Sequence, residues 1–291
     1  MTQNTLDKKE AIISIVHASV ESFAVGFQGR HEGELENPEG TLNMKIHNVF
    51  ITVLGPEIQY YTALVRSLDS SLGNMLEKMA INIARLTYEV KQNVEGPLSL
   101  KQTQDMAELL EKYKRREITP PTAEDYQFLR VKPTEQSLVT KRHDSDYYLI
   151  DKETGENFLI ELKIGGDLDN KKSRSEKEAL LEQFAILSNT LPQNTKIKLF
   201  FATAYNRFGE GKPWKQERVR QFFSDDELLI GKDFWDFVCK SADGYNIVLE
   251  AYKESFTKYF GDVNSYKISW NNILMPLSDN YKISNMEMAF Q

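Results

Sequence analysis

Residues 142–183 read RHDSDYYLIDKETGENFLIELKIGGDLDNKKSRSEKEALLEQ, and the hydrophobic period of this stretch decides the fold. Tyr147 to Asp151 is aromatic and β-branched, Lys152 to Glu156 is a polar loop with Gly155 placed for a left-handed turn, and Asn157 to Ile164 alternates again. The pattern predicts two antiparallel strands joined by a tight turn. Along the second strand, the period of two puts Phe158, Ile160, Leu162 and Ile164 on one face and Leu159, Glu161 and Lys163 on the other. The first face is expected to be core, and the second to end wet, in Glu161 and Lys163.

With Asp151 facing Asn157 across the loop, Asp146 falls beside Glu161 and Leu162, to within the one-residue slip that a bulge allows. Carboxylates opposed on neighbouring strands repel, which costs stability unless something positive sits between them. Hard oxygen ligands on strand ends favour Mg²⁺, and the four histidines and one cysteine make no ligand spacing for zinc. Lys163, on the side of Glu161, would orient and polarise a water near the metal. That inventory suits metal-assisted hydrolysis of a phosphodiester.

Asp146, then Glu161-Leu162-Lys163 at the end of the next strand, a Gly pair and a basic segment leading into a helix together resemble the PD-(D/E)xK nuclease superfamily. Within it the chain looks most like a type II restriction endonuclease of the TdeIII-like group. Ser145 stands where the motif has Pro, and the motif itself covers only residues 146 to 163. Short ExK strings arise by chance on solvated hairpins; the conjunction of Asp, turn, apolar alternation and ExK in register favours the nuclease. The resemblance implies an α/β restriction-endonuclease-like fold, with a mixed central β-sheet flanked by helices in αβββαβ order and a helical N-terminal elaboration. It implies Mg²⁺ held by Asp146, Glu161 and the Leu162 carbonyl, water oriented by Lys163, and 5′-phosphate and 3′-hydroxyl products from double-stranded DNA. In many restriction enzymes a Glu on the helix before the catalytic sheet faces the metal, and Glu77 is the matching residue.

The chain has 291 residues, of which 41% are hydrophobic, enough for a sizeable core. Its net charge of −7 is unfavourable for a DNA-binding protein unless cations cluster locally. Lone Cys239 is expected as a small buried residue. The segment MTQNTLDKKEA lacks a signal peptide's pattern, and no apolar run is expected to reach the ~20 residues that span a bilayer, so a cytoplasmic protein without membrane contact is expected.

Taken in order, residues 6 to 26 have helical spacing at Ile12, Ile13, Val16, Val20 and Phe23, and Gly29 to Leu42 reads as an acidic surface loop. His17, near the apolar stripe, is expected as a core or boundary residue. Two helices with a break near Asp69 are expected after Pro56, a third from Pro97 to Glu117, and a first sheet strand at Tyr126 to Val131. After the hairpin, Gly165-Gly166 permits backbone conformations that a Cβ forbids. Ser175 is expected to cap the next helix with Glu178 completing a capping box, leaving Lys171, Lys172 and Arg174 before it for phosphates.

Lys196 to Tyr205 reads as a buried strand, parallel to the second hairpin strand through that helix. From Lys196 to Arg220 seven Lys and Arg stand against two Glu, a local excess of +5. Arg207, Lys212, Lys215 and Arg218, interleaved with Phe208 and Trp214, are expected to touch DNA, the Arg forks reading bases and Lys neutralising backbone. Lys212 is followed by Pro213 where a phosphate loop needs Ser or Thr, so no nucleotide cofactor is expected. The expected domains are a helical elaboration at 1–66, a nuclease core at 67–262 and a tail at 263–291 serving as an edge or dimer element. A homodimer is expected, since palindromic sites pair with two-fold symmetry. The rival functions are a structure-specific repair or junction nuclease of the same superfamily, and a catalytically inactive DNA-binding protein with this fold.

Overall fold

The structure is a computed structural model that describes residues 3–37, 39–40, 48–130 and 138–260. The expected tail at 263–291 lies outside the described residues. Two compact units divide the chain: residues up to Met79 together with those from Asn246 onward, and Ala80–Tyr245.

In the first unit, helix α1 (Gln3–Glu36) buries Ile12, Val16, Val20, Phe23 and Phe27 at helical spacing. The helix runs through residues 29–36, so the loop expected at 29–42 does not begin there. Its Leu6–Phe27 span has a mean hydropathy of 1.3, long and apolar enough for a membrane helix by composition, contrary to expectation. Glu21 and the buried stripe give that span the two-sided character of a packing helix. After the short α2 (Val49–Thr52), α3 (Pro56–Ala84) is continuous through Asp69, where a break was expected.

The second unit is built on a five-stranded mixed sheet in the order β1-β2-β3-β4-β5. Its strands are β1 (Tyr88–Ser99), β2 (Leu138–Asp151), β3 (Asn157–Leu162), β4 (Ile197–Thr203) and β5 (Leu228–Ile230). Neighbours β1, β2 and β3 are antiparallel, whereas β3, β4 and β5 are parallel. The α/β class, mixed sheet and flanking helices are as expected, but the first strand is not Tyr126 to Val131. That segment starts as a 3-10 helix, Ala123–Arg130, burying Tyr126 and Leu129 three residues apart, one turn of such a helix. The strand is Tyr88–Ser99, followed by α4 (Leu100–Lys114). The Ser99 hydroxyl caps α4 by accepting from the Gln102 backbone N–H at 3.0 Å, and the Gln102 side-chain Oε1 accepts from the Ser99 backbone N–H at 3.1 Å.

The hairpin forms one residue out of the expected register: Ile150, not Asp151, pairs with Asn157. Asp151 is the last residue of β2 and closes the turn: its Oδ1 accepts from the backbone N–H groups of Glu153 and Thr154, and Gly155 has φ +71°. All six residues of β3 are buried, so neither face is wet. On one face Leu159 joins Leu199, Phe201, Leu180 and Phe184 in the main core. On the other, Phe158 packs edge-on against Phe237, centroids 5.0 Å apart, and Phe237 stacks on Tyr88. Phe237 lies on α7 (Lys232–Cys239) with the buried Trp235 and Cys239, as expected of core residues; α8 (Gly244–Phe260) follows.

Helix α5 (Asn170–Thr190) links β3 to β4 and buries eleven side chains or parts of them, Lys177 included. Lys177 is 0% exposed; its Nζ donates to Glu227 Oε1 at 2.6 Å and lies 4.7 and 4.8 Å from the ring centroids of Tyr126 and Phe223. Glu227 also accepts from the Tyr126 hydroxyl at 2.8 Å and the Ser224 backbone N–H at 2.9 Å. Complete burial drives the Lys177 pKa below its ordinary value, with Glu227 opposing. Losing one partner strands a buried charge. Lys177→Met should lower unfolding free energy by about 3–5 kcal/mol in urea denaturation, and adding Glu227→Leu should recover part of it. Equal stability of Lys177→Met and wild type would refute this role.

Candidate active site

The C-terminal end of β3 carries the acidic and basic groups singled out in the sequence. The β2–β3 ladder ends at Tyr147 paired with Ile160, so one further step in the same register sets Asp146 against Glu161. On the other side of β2, pairing with β1 passes from Lys91–Tyr148 to Asn93–Asp144. Gln92 therefore faces Ser145, Asp146 and Tyr147 together, a bulge centred on Asp146. The Asp146 side chain lies outside the described ones. Asp144 is exposed, two residues earlier and beyond the β3 pairing.

Glu161 is buried, and its Oε1 accepts from Lys163 Nζ at 2.5 Å. Lys163 continues the parallel ladder after β3, donating its backbone N–H to the Ala202 carbonyl at 2.9 Å. The period of two thus holds both side chains on one side of the sheet, as expected, although that side is covered by α5. From this helix Glu176 approaches Lys163 Nζ at 3.1 Å. Burial opposes the charged form of Lys163, but Glu161 and then Glu176 outweigh it, and the ammonium pKa is raised above its ordinary value.

Glu176 is the site residue that sequence reasoning missed. Ser175 and Glu178 were expected at the helix start, but α5 begins with Asp169 as N-cap, its carboxylate accepting from the Lys172 backbone N–H at 2.8 Å. The earlier start places Glu176 in the second turn and Lys171, Lys172 and Arg174 inside the helix. Lys171 and Lys172 are exposed; Arg174 pairs through Nη1 with Glu111 of α4. Glu77 is half-buried on α3, in the first unit.

Gly166, with φ +63°, lets the chain turn from β3 into α5 against the end of β4. A Cβ there would meet Thr203 Cγ2 at 2.6 Å and Trp214 Cζ2 at 3.2 Å. Trp214 is consequently core, packed on Phe201, rather than an exposed aromatic between cations. Arg207 Nη1 reaches Asp167 at 2.7 Å beside this turn. Lys212, Lys215 and Arg218 are exposed and make no ion pair among the described residues. Lys196 and Lys198 pair with Glu156 at the opposite end of the parallel strands, so the +5 stretch does not act as one patch.

A buried Glu beside a Lys thus stands at the end of β3, with exposed cations on the segment that follows β4. A family model for type II restriction endonuclease, HinfI, matches residues 8–255. The chain belongs to the HinfI family of type II restriction endonucleases. No curated protein and no solved structure matches it. The HinfI-family match runs from α1 into α8, taking in the N-terminal helices as well as the sheet. Membership makes the chain a nuclease whose substrate is double-stranded DNA.

Gly166→Ala should cost about 1–3 kcal/mol in thermal unfolding, because a side chain is strained at this φ and collides with Thr203. Gly155→Ala, also at positive φ but with open space around its Cβ, should cost less. Equal losses would remove the close approach at Gly166 as a cause.

Proposed function

We propose that this HinfI-family enzyme cuts double-stranded DNA at specific sequences by Mg²⁺-dependent hydrolysis, in the manner of PD-(D/E)xK nucleases. The observation that carries this reading is the pair of buried Glu161 and half-buried Lys163 at the end of β3, one register step from Asp146. The resemblance to PD-(D/E)xK nucleases assigns the cation to Asp146, Glu161 and the Leu162 carbonyl, although among the described residues no three of His, Cys, Asp and Glu cluster as a metal site. The donors fit: all are hard oxygens, and Glu161 already holds a cationic group, the Lys163 ammonium, against its carboxylate. A divalent cation there supplies Lewis acidity to the phosphate and acidity to a bound water. Lys163 orients the attacking water and offers positive charge to the phosphorane oxygens. Glu161 holds its place because β3 is paired on both sides and buried.

Cations at the same end of the parallel strands supply the duplex contacts. Lys171, Lys172, Arg174, Lys212 and Lys215 neutralise phosphates, while Arg207 and Arg218 have the forked geometry that base edges require. Arg174 and Arg207 reach DNA by leaving Glu111 and Asp167, exchanges of partly exposed pairs that cost little. One such set per chain and two strands to cut favour a homodimer acting across a two-fold site.

Plasmid cleavage with and without Mg²⁺, followed by end sequencing, tests the whole reading; discrete fragments with one common end sequence are expected. Glu161→Ala and Lys163→Ala should each abolish cleavage while duplex binding in Ca²⁺ survives. Activity near wild type in either would sink the assignment. Asp146→Asn should be inactive and Asp144→Asn active, and the reverse result would move the metal ligand to Asp144.

Alanine at Arg207 or Arg218 should cost about 1–3 kcal/mol of discrimination at one base pair. Alanine at Lys212 or Lys215 should instead weaken all sequences alike and lower the salt slope by about 1. If all four variants bind like wild type at two salt concentrations, the reader lies elsewhere.

A further inference from the structure

Lys163 is held from two elements at once: by Glu161 from the strand at 2.5 Å and by Glu176 from α5 at 3.1 Å. An ammonium has three donors and can satisfy both. Under the proposed function, however, Glu161 is a metal ligand and cannot give its carboxylate wholly to Lys163. Glu176 is then the described acidic group left beside the ammonium. We propose that Glu176 is a positioning residue that holds Lys163 at the attacking water during cleavage, an inference that rests on the role given to Lys163 above.

Three features fix where Glu176 points. Lys177, the next residue, is fully buried and bound to Glu227 on the far side, so α5 cannot rotate without exposing or stranding that pair. Consecutive helical residues are about 100° apart, so burying Lys177 turns Glu176 toward the flank of α5 that meets the end of β3. Asp169 sets the first turn, and Leu180, Leu181 and Phe184 anchor the rest in the core. The cations one and two residues away along the helix, Lys177 and Arg174, are paired with Glu227 and Glu111 rather than with Glu176. The Glu176 side chain is 22% exposed, well below a freely solvated carboxylate on a helix.

The test compares Glu176→Gln and Glu176→Asp with wild type, using Lys163→Ala and Glu161→Ala as references on the full-length protein. Single-turnover cleavage in Mg²⁺, Ca²⁺ binding by calorimetry, duplex affinity in Ca²⁺ and thermal unfolding are measured for each. Glu176→Gln should cut about 10- to 100-fold more slowly, as groups that orient an active-site residue usually do when altered. Its Ca²⁺ affinity, duplex affinity and melting temperature should stay at wild-type values, and Glu176→Asp should recover part of the rate. Wild-type cleavage by Glu176→Gln beside an inactive Lys163→Ala overturns the inference and leaves the role of Lys163 standing. Loss of Ca²⁺ binding in Glu176→Gln would also overturn it, making the residue a metal ligand. Cleavage by Lys163→Ala itself would remove the underlying reading and this inference together.

Discussion

The desolvated ion pair between Lys177 and Glu227 is the contact on which the arrangement of the second unit depends. Taking two charges out of water is costly, and the cost is offset only when every remaining lone pair and proton finds a partner. Here Glu227 has the Tyr126 hydroxyl and the Ser224 N–H, and the ammonium lies against the Tyr126 and Phe223 rings. Three separate segments are therefore tied to one point: α5, the 3-10 helix before β2, and the stretch from Phe223 to Glu227 leading into β5. Such a point has little freedom to slide, whereas the leucines and phenylalanine beside it on α5 could repack with small loss.

The same contact connects stability to the cluster of Glu161, Lys163 and Glu176 at the end of β3. Hydrophobic packing of α5 sets its distance from the sheet, but it is poor at fixing rotation, because neighbouring apolar residues substitute for one another. A buried charge is selective, since only one rotation brings Lys177 to Glu227. The adjacent Glu176 is thereby brought to Lys163, and the paired carboxylates raise the ammonium's pKa against the opposing effect of burial.

Charge elsewhere follows a different logic. The chain is acidic overall, yet Lys212, Lys215, Arg218, Lys171 and Lys172 stand exposed, while Arg174 and Arg207 are parked on Glu111 and Asp167. Partly exposed pairs gain little in water and are readily exchanged for phosphate oxygens. Net charge thus says less about a duplex-binding surface than which cations lie at the carboxyl ends of the parallel strands, where ligands of open α/β sheets gather.

Much of this was written locally in the chain. The hairpin from Tyr147 to Leu162, the side shared by Glu161 and Lys163, the crossover to β4 and the burial of Cys239 all follow from period and short-range turn chemistry. The expected likeness to a type II restriction endonuclease is borne out by the HinfI match. Strand β1 escaped because it is an edge strand with most of its residues exposed or half-exposed, leaving little alternation to detect, and Pro97 is tolerated only at such an edge. Tyr126 to Arg130 looked like a strand because its apolar residues are dense, yet tertiary packing took a three-residue period from them. The continuity of α3 through Asp69 overrode weak local propensity in the same way. What the sequence by itself determined was which segments pair and which side chains share a face, because strand pleat and turn geometry are local. Only the tertiary structure decided that β3 is covered on both faces and that Glu176 meets Lys163. These depend on which distant residue, Glu227 above all, fills the low-dielectric space around Lys177, and no spacing along the chain encodes that.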